Sequence, residues 1–401
     1  MNILHVTPYF APAWAYGGPP RSVFELCRQL SRRGHAITVL TTDAHNGLRR
    51  ASPAVENLSG IEVYRLPNLS NRLAWRRQLF LPRGTGRFLT DRLPRFDMVH
   101  MHMYRNLQNI AVYRHTRRSA TPYVFSARGS LPRIVRGIAA KAIFDVAIGA
   151  RVLRDAARCV ASANAERMQY EAMGVPQDRI RTVYNGIDSK AYENLPAKGL
   201  FSERFGLTGR RIVAYVGRLN ARKGLNYLLR AFRDVATSDR DAALAIVGPD
   251  DGYRGTLEHL ARTLHLDDRV VFTGFLDGNE RLSAFVDADV IVYPAKHEIF
   301  GLVPFEALAC GKPVIVANDS GCGELIQEAG AGIVVPVENI SRLADAISTS
   351  LRGGPEVSRM VERGQQFVAY HLNWDVICTR TEKVYLEAIE GRRPMPGAIG
   401  Q

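Results

Sequence analysis

Short apolar runs alternate with longer amphipathic stretches, and this alternation constrains the fold more than any other feature of the sequence. It occurs as two successive series, the first ending near residue 190 and the second beginning near Arg211. Short apolar runs that are each followed by an amphipathic helix predict parallel strands covered by helices. The two series therefore predict an α/β protein with two Rossmann-like, doubly wound domains.

The strand candidates can be located individually. The first series contains Ile3–Thr7, Ala36–Thr41, Ile61–Leu66, Met98–His102, Tyr123–Ala127, Arg158–Ala161 and Ile180–Tyr184. The second contains Ile212–Val216, Ala243–Val247, Val270–Thr273, Val290–Tyr293, Val314–Ala317 and Ile333–Val335. Helical periodicity separates many of these runs, as in Arg21–Arg33.

We predict an N-terminal domain over residues 1–190 and a C-terminal domain over residues 199–374. A last helical stretch, at about residues 375–390, is expected to pack back on the N-terminal domain. Open parallel sheets bind ligands outside the carboxyl ends of their strands. We therefore expect the active site in the cleft between the carboxyl edges of the two sheets.

Composition limits the class of protein. The chain is 46% hydrophobic and 23% charged, which is typical of globular proteins. No apolar run reaches the roughly 18 residues of a membrane span, and the first six residues have the pattern of a core strand. The five cysteines form no CxxC pair, as expected for reduced thiols. Together these features predict a cytoplasmic protein.

The net charge of +14 favours an anionic partner, although an arginine-rich coding bias would also explain it. Nucleic acid, an anionic membrane and a phosphate-bearing substrate would all fit. No zinc-finger spacing and no basic run interleaved with aromatic residues is present, so we do not expect nucleic acid.

Residues 298–316 are the most informative segment, because a loop there leads into a helix after the strand that ends at Tyr293. Pro304 fits the first helical position, where its missing N–H would have no partner. The free N–H groups of residues 301–303 would then form a site for phosphate oxygens, and Gly301 would allow close approach.

Glu298 and Glu306 flank this anion site. A carboxylate can accept hydrogen bonds from two adjacent hydroxyl groups, which suits a ribose or a pyranose. The alternative is that Glu306 only interacts with its helix dipole and that Glu298 is a solvated loop residue.

The segment EIFGLVPFEALACGKPVIV resembles the E-x7-E signature of family-4 glycosyltransferases, which are retaining enzymes with the GT-B fold. The resemblance implies that Glu298 contacts the donor sugar and that Glu306 binds the nucleotide ribose. It also implies that backbone holds the sugar and diphosphate at Phe300, Gly301, Leu302 and Val303.

Other segments extend the resemblance over nearly the whole chain. Residues 216–225 are similar to the family's "GR…KG" element, in which Arg218 and Lys223 would clamp the donor diphosphate and stabilise its departure. A solvated basic loop is the alternative. Gly248 lies in a turn similar to one near the nucleotide base, and residues 184–188 match an "NGvD" turn that an ordinary structural role would also explain.

Gly17 and Gly18 precede the first helix and resemble the family's glycine loop, whose amides approach the donor phosphate or the acceptor. Arg128 stands where many members have a histidine near the reacting sugar. Arginine cannot act as a base, but it can bind a phosphate or a sugar hydroxyl. His100 and His102 are candidates for an acceptor pocket, or else structural residues.

The resemblance implies a retaining hexosyltransferase that uses a UDP- or GDP-sugar and a glycan or lipid-linked acceptor, as in polysaccharide biosynthesis. No cofactor or metal is expected, because no DxD-like acidic pair lies in a suitable loop. Alternatives are a non-catalytic GT-B-like binding protein, a sugar-nucleotide epimerase and a sugar phosphorylase.

Two basic stretches also carry apolar residues. Residues 70–95 hold seven arginines against one aspartate, and residues 128–158 mix Arg133, Arg136 and Arg151 with isoleucines. Such segments can rest on an anionic bilayer, here the inner face of the plasma membrane. Core helices with arginines at their rims are an equal alternative.

Overall fold

The structure is a computed structural model that describes residues 1–134, 137–319 and 321–391, apart from the side chain of Ser189. Arg136 of the second basic stretch lies outside the described residues. The chain divides into two compact units. Unit 1 consists of Met1–Gly186 together with the segment from Trp374 onward, and unit 2 of Ile187–Asn373.

Unit 1 is built on an eight-stranded sheet with the order β3-β4-β2-β1-β5-β6-β7-β8. Every neighbouring pair is parallel except β3 and β4. The strands are β1 (Asn2–Val6), β2 (Ala36–Thr42), β3 (Val55–Leu58), β4 (Ile61–Leu66), β5 (Met98–His102), β6 (Tyr123–Ser126), β7 (Arg158–Ala161) and β8 (Ile180–Thr182). The helices are α1 (Gly18–Arg32), α2 (Asn71–Arg77), α3 (Thr85–Arg92), α4 (Leu107–Ser119), α5 (Ile138–Phe144), α6 (Ala150–Arg154), α7 (Asn164–Ala172) and α16 (Trp374–Glu390). A π-helical segment, Asp145–Gly149, joins α5 to α6.

Unit 2 is built on a six-stranded, fully parallel sheet with the order β11-β10-β9-β12-β13-β14. Its strands are β9 (Arg211–Val216), β10 (Ala242–Val247), β11 (Val270–Gly274), β12 (Val290–Tyr293), β13 (Val314–Ala317) and β14 (Ile333–Val335). Its helices are α8 (Leu200–Arg204), α9 (Leu225–Ser238), α10 (Arg254–Thr263), α11 (Gly278–Asp287), α12 (Leu302–Ala309), α13 (Gly321–Glu328), α14 (Ile340–Arg352) and α15 (Pro355–His371). Counted along the chain, the order is 3-2-1-4-5-6, as in doubly wound nucleotide-binding folds.

The predicted α/β class with two parallel-sheet domains is confirmed. One strand, Val55–Leu58, was not predicted from the sequence. It pairs antiparallel with β4 at the sheet edge, and its side chains are exposed or only partly buried. A short edge strand of this kind carries no apolar run that would mark it.

Helix α16 completes the core of unit 1. It packs against α1, β6 and β7. Its buried side chains join the same hydrophobic cluster as Val23 and Leu26 of α1, and they include Trp374, Ile377, Cys378, Tyr385 and Ala388. The helix therefore supplies apolar surface that the strands and helices of residues 1–186 leave uncovered.

Within the described residues, no helix combines the length and the apolar character that crossing a membrane requires. All five cysteines are buried.

Gly186 allows the Trp374 ring to approach the backbone. A Cβ atom at position 186 would lie 2.5 Å from Trp374 Cδ2, far inside van der Waals contact. We predict that Gly186→Ala lowers the free energy of unfolding by about 1–3 kcal/mol, because the ring must move. Thermal and urea unfolding would measure this. Gly255→Ala is the matched control, since a Cβ there has no neighbour within 4 Å; an equal loss in both variants would contradict the prediction.

Candidate functional site

The strand order of unit 2 changes direction between β9 and β12. The connections that leave two such strands run to opposite sides of the sheet, which opens a crevice at their carboxyl ends. Lys223 follows β9, and Glu298 follows β12. The topology therefore brings two of the predicted site residues to one edge of the sheet, although they are 75 positions apart.

Lys223, Glu298 and Tyr293 form one hydrogen-bonded cluster. Lys223 Nζ lies 2.5 Å from Glu298 Oε2 and 2.6 Å from the Tyr293 hydroxyl group. The Tyr293 hydroxyl also donates to Glu298 Oε2, at 3.1 Å. The side chains of Lys223 and Glu298 are 15% and 26% exposed, so the pair is shielded from water yet open to a ligand.

The cluster holds Glu298 in its ionised form. Burial alone would raise the pKa of Glu298, but the charge of Lys223 and the hydrogen bonds from Lys223 and Tyr293 outweigh it, so the pKa is lowered. Burial raises the pKa of Tyr293 well above its ordinary value, and Glu298 raises it further. The cluster thus contains a carboxylate, an ammonium group and a neutral phenol.

Helix α12 begins beside this cluster. Gly301 is its N-cap, in the left-handed conformation with φ +65°, and no side chain caps the helix. A Cβ at Gly301 would lie 3.0 Å from Glu298 Cγ, so glycine is needed there. The expectation that Pro304 is the first helical residue is wrong, because the helix begins at Leu302. Pro304 is the third helical residue. The N–H groups of the first helical turn have no partner within the helix, so proline costs no hydrogen bond at this position either.

The other backbone residues predicted to hold the donor belong to the same turn. Phe300 is 4% exposed and Ile299 is 6% exposed, so their side chains face the core. Leu302 and Val303 are partly buried in the first turn of α12. Their uncapped N–H groups are what this turn offers to an anion.

Glu306 is held by a bidentate ion pair. Arg281 Nη1 and Nη2 lie 2.7 Å and 3.2 Å from its two carboxylate oxygens. Burial, followed by the charge of Glu306, raises the pKa of Tyr192, so this neighbouring phenol is neutral. A carboxylate has about four acceptor positions, so Glu306 can still accept from a ligand hydroxyl group beside Arg281 and Tyr192.

Arg218 lies apart from the Lys223 cluster, in the same loop. Its Nη1 is 3.4 Å from Asp251 Oδ2, and the Tyr215 hydroxyl donates to its carbonyl oxygen. Gly248 supports this loop, because a Cβ there would lie 1.9 Å from the carbonyl oxygen of Gly217. The geometry thus gives Gly248 a structural role.

The remaining predicted residues belong to unit 1. Gly17, with φ +97°, is the N-cap of α1, and Gly18 is the first residue of that helix. A Cβ at Gly18 would meet nothing within 4 Å. The packing of unit 1 therefore does not require glycine at position 18.

Arg128 and the predicted histidines form a buried network. Arg128 Nε–H donates to His102 Nδ1 at 3.2 Å, and His102 Nε2 lies 3.0 Å from His5 Nδ1. His100 bonds to the Tyr385 and Ser126 hydroxyl groups. His102 is 0% exposed and its ring is enclosed by the core of unit 1; its place in an acceptor pocket stays a prediction. His100 is 1% exposed and does line a pocket.

The ring nitrogens of His5, His100 and His102 lie within 4.8 Å of one another, which is close enough to hold a metal ion. Burial, together with the charge of Arg128, lowers the pKa of all three, and that of His5 to about 3. Because His102 Nδ1 accepts from Arg128, the proton of this neutral ring is on Nε2, facing His5. That proton and the adjacent guanidinium charge both disfavour a cation here.

Two family models match the chain. Residues 17–186 match the glycosyl transferase 4-like domain, and residues 200–367 match the glycosyl transferases group 1. An uncharacterized glycosyltransferase of Methanocaldococcus jannaschii is 29% identical over 94% of this chain and 97% of its own.

Other relatives are matched over a shorter region. A GDP-mannose-dependent phosphatidylinositol monomannoside mannosyltransferase of Mycolicibacterium smegmatis is 29% identical over 57% of this chain and 60% of its own. The chain spans about half of several other curated relatives. The crystal structure of Anabaena HepE with UDP-glucose superimposes with a TM-score of 0.76 at 19% identity, over 96% of this chain and 99% of that one. The predicted GT-B fold class is confirmed.

Sequence reasoning missed Tyr293, Arg281 and Tyr192. The sequence marks Tyr293 only as the last residue of a strand, although a tyrosine ending a buried strand needs a partner for its hydroxyl group. Arg281 lies on an amphipathic helix among other polar residues, and no local signal distinguishes it.

The pKa of Glu298 gives a prediction about stability and pH. A carboxyl group whose pKa is lowered by folding stabilises the protein above its unfolded pKa, near 4.5, and loses this effect as the pH falls through its folded pKa. Glu298→Gln should therefore be less stable than the parent by about 1.5–3 kcal/mol at pH 7. The difference should shrink below about pH 4.5. Urea unfolding across this range would measure it.

Glu328→Gln, at an exposed position of the same unit, is the control and should show no such pH-dependent difference. A Glu298→Gln difference that is constant between pH 7 and pH 4 would contradict the assignment of the stabilisation to the ion pair.

Proposed function

Because this chain is a glycosyltransferase built from a family-4-like half and a group-1 half, we propose that it transfers a sugar from a nucleoside diphosphate sugar to a glycan or lipid-linked acceptor. The observation that carries the proposal is the Lys223–Glu298–Tyr293 cluster at the edge of unit 2, beside the uncapped helix α12. It combines a cation and free N–H groups for a diphosphate with a carboxylate for sugar hydroxyls.

We assign the diphosphate to Lys223, Arg218 and the first turn of α12. An ammonium group and helix N–H groups stabilise phosphate oxygens, and they do so more strongly as the leaving diphosphate gains charge. Glu298 would then accept from the sugar hydroxyls. For this, Lys223 must share its N–H groups between Glu298 and a phosphate oxygen, which its three donors allow.

Glu306 is assigned to the ribose of the nucleotide. Arg281 fixes the carboxylate with two hydrogen bonds and Tyr192 contributes another, which leaves acceptor capacity for a ribose hydroxyl. A UDP- or GDP-sugar is proposed as the donor. Uracil is supported by the similarity to a protein solved with UDP-glucose. Guanine is supported by the similarity to a mannosyltransferase named for GDP-mannose.

We also propose that transfer retains the configuration at the anomeric carbon and requires no metal. Retention rests on the resemblance of residues 298–306 to the E-x7-E signature. Independence from metal rests on Arg218 and Lys223, whose charges can stabilise the leaving diphosphate. The anomeric configuration of the product, and activity in EDTA, would test these two points.

Donor binding tests the central assignment. The increase in Tm caused by UDP-glucose should be compared with that caused by GDP-mannose. A ligand at 100 times its Kd stabilises the folded protein by about 2.7 kcal/mol. We expect Lys223→Ala to weaken binding of the preferred donor at least tenfold, because it removes a charged contact with the diphosphate. Arg233→Ala removes an exposed cation from the helix after Lys223 and is the control.

Equal donor binding in Lys223→Ala and Arg233→Ala would overturn the assignment. Product analysis with a donor labelled in its sugar separates the alternatives. A transferase labels the acceptor, an epimerase returns an altered nucleotide sugar, a phosphorylase needs phosphate, and a binding protein gives no product.

We further propose that α5 and the π-helical segment after it rest on an anionic membrane, at its cytoplasmic face. Ile143 and Val146 are 69% and 85% exposed there. The acidic residue of the segment, Asp145, is buried and lies 2.8 Å from Arg105 and 2.7 Å from Arg133. The other charged residue of the segment, Lys141, is positive and partly buried. In the other basic stretch, residues 70–95, Leu73, Trp75 and Leu79 are exposed as well, whereas Phe80 is 3% exposed.

Sedimentation with vesicles tests this docking. The parent should bind vesicles that contain anionic lipid more strongly than neutral ones, and Ile143→Glu with Val146→Glu should abolish the difference. Met168→Glu, at another exposed apolar position of unit 1, is the control. Equal binding to both kinds of vesicle would reject the proposal.

A further inference from the structure

Arg128 is a partly buried cation in unit 1 with no ion-pair partner within 4 Å among the described residues. Its Nε–H binds His102, and one Nη1–H binds Asn185 Oδ1 at 2.8 Å. Guanidinium has five N–H donors, so three remain. A shielded cation with unused donors is a site for an anion.

Glu166 is the nearby carboxylate, but its oxygens are engaged elsewhere. Oε1 accepts from the Gly129 N–H at 2.6 Å, and Oε2 accepts from Ser162 N–H and Oγ–H at 2.8 Å and 2.9 Å. Glu166 therefore fixes the loops around Arg128 and makes burial of the guanidinium tolerable, without occupying its N–H groups.

Arg128 lines a pocket that lies entirely within unit 1. Its apolar wall strengthens electrostatic attraction by excluding water; it includes Leu26, Val160, Val183 and Trp374. Asn185 turns its Oδ1 toward Arg128, so its Nδ2–H2 group is directed away as a further donor. Ser22 of α1 lines the same pocket.

We infer that this pocket binds an anionic group, a phosphate or a carboxylate, through Arg128, Asn185 and Ser22. The inference rests on the proposed function for its role, since the anion belongs either to the acceptor or to the diphosphate of the donor. Within the network, His102 accepts the Arg128 Nε–H, which leaves the Nη groups for Asn185 and the anion.

Inorganic phosphate is the first probe, and the full chain carrying Lys223→Ala is the starting protein, so that the proposed donor site is weakened by the loss of one of its two cations. Phosphate, compared with chloride at equal ionic strength, should raise the Tm of this protein. Adding Arg128→Gln should abolish the increase. Adding Arg167→Gln, which removes a cation one residue after Glu166, should leave it unchanged.

Asn185→Asp provides a second variant that does not depend on tolerance of Arg128→Gln. It keeps the size of the side chain and the acceptor for Arg128, but it gives the guanidinium a permanent anionic partner, so phosphate should no longer bind. No phosphate effect in the Lys223→Ala protein, or an effect that survives both Arg128→Gln and Asn185→Asp, would overturn the inference.

To identify the source of the anion, the affinities for UDP and for uridine are compared in protein that keeps Lys223. If Arg128→Gln and Asn185→Asp each reduce the ratio of the affinity for UDP to the affinity for uridine at least tenfold, the pocket binds the diphosphate of the donor. If this ratio of affinities depends on Lys223 alone, the phosphate that raises the Tm occupies the place of an anionic group of the acceptor. Donor binding that requires Lys223 would stand even if the pocket fails every test, so the two proposals can be separated.

Discussion

The candidate donor site depends on one constraint, which is that β9 and β12 lie side by side while the connections after them diverge. The loops that follow the two strands are thereby brought into contact. Gly224 makes the contact possible, because a Cβ in its place would lie 2.1 Å from the carbonyl oxygen of Pro294. Lys223 is set against Glu298 as a direct result. The chemistry of unit 2 is thus a property of its strand order as much as of its side chains.

The two units handle their buried charges differently. In unit 2 the two carboxylates each have a basic partner, Lys223 for Glu298 and Arg281 for Glu306, and each pair is shielded but open at one side. In unit 1 the cation Arg128 faces neutral rings and an amide, and the nearest carboxylate is engaged by loop N–H groups. A ligand that supplies negative charge would give Arg128 of unit 1 an ion-pair partner. In unit 2, Lys223 and Arg281 already have acidic partners without a ligand.

Most of the fold could be predicted from the sequence, because buried parallel strands are continuous apolar runs. Ile61–Leu66 and Val290–Tyr293 have the predicted boundaries, whereas the exposed edge strand Val55–Leu58 carries no such signal. In the candidate site, Glu298 is predicted from the loop and helix start that follow it, and Lys223 from the resemblance of residues 216–225 to the "GR…KG" element. Arg281 and Tyr192 reach Glu306 only through tertiary packing, which no local pattern encodes.

Helix α16 has a consequence for the order in which the protein can form. Its side chains belong to the same core as those of α1, although more than 340 positions of chain separate Arg33 from its partner Glu382. A ribosome releases the first unit's sheet long before this helix emerges. During synthesis, the part of unit 1 that α16 covers therefore stays open to solvent until all of unit 2 has been translated, because this helix follows unit 2 in the chain.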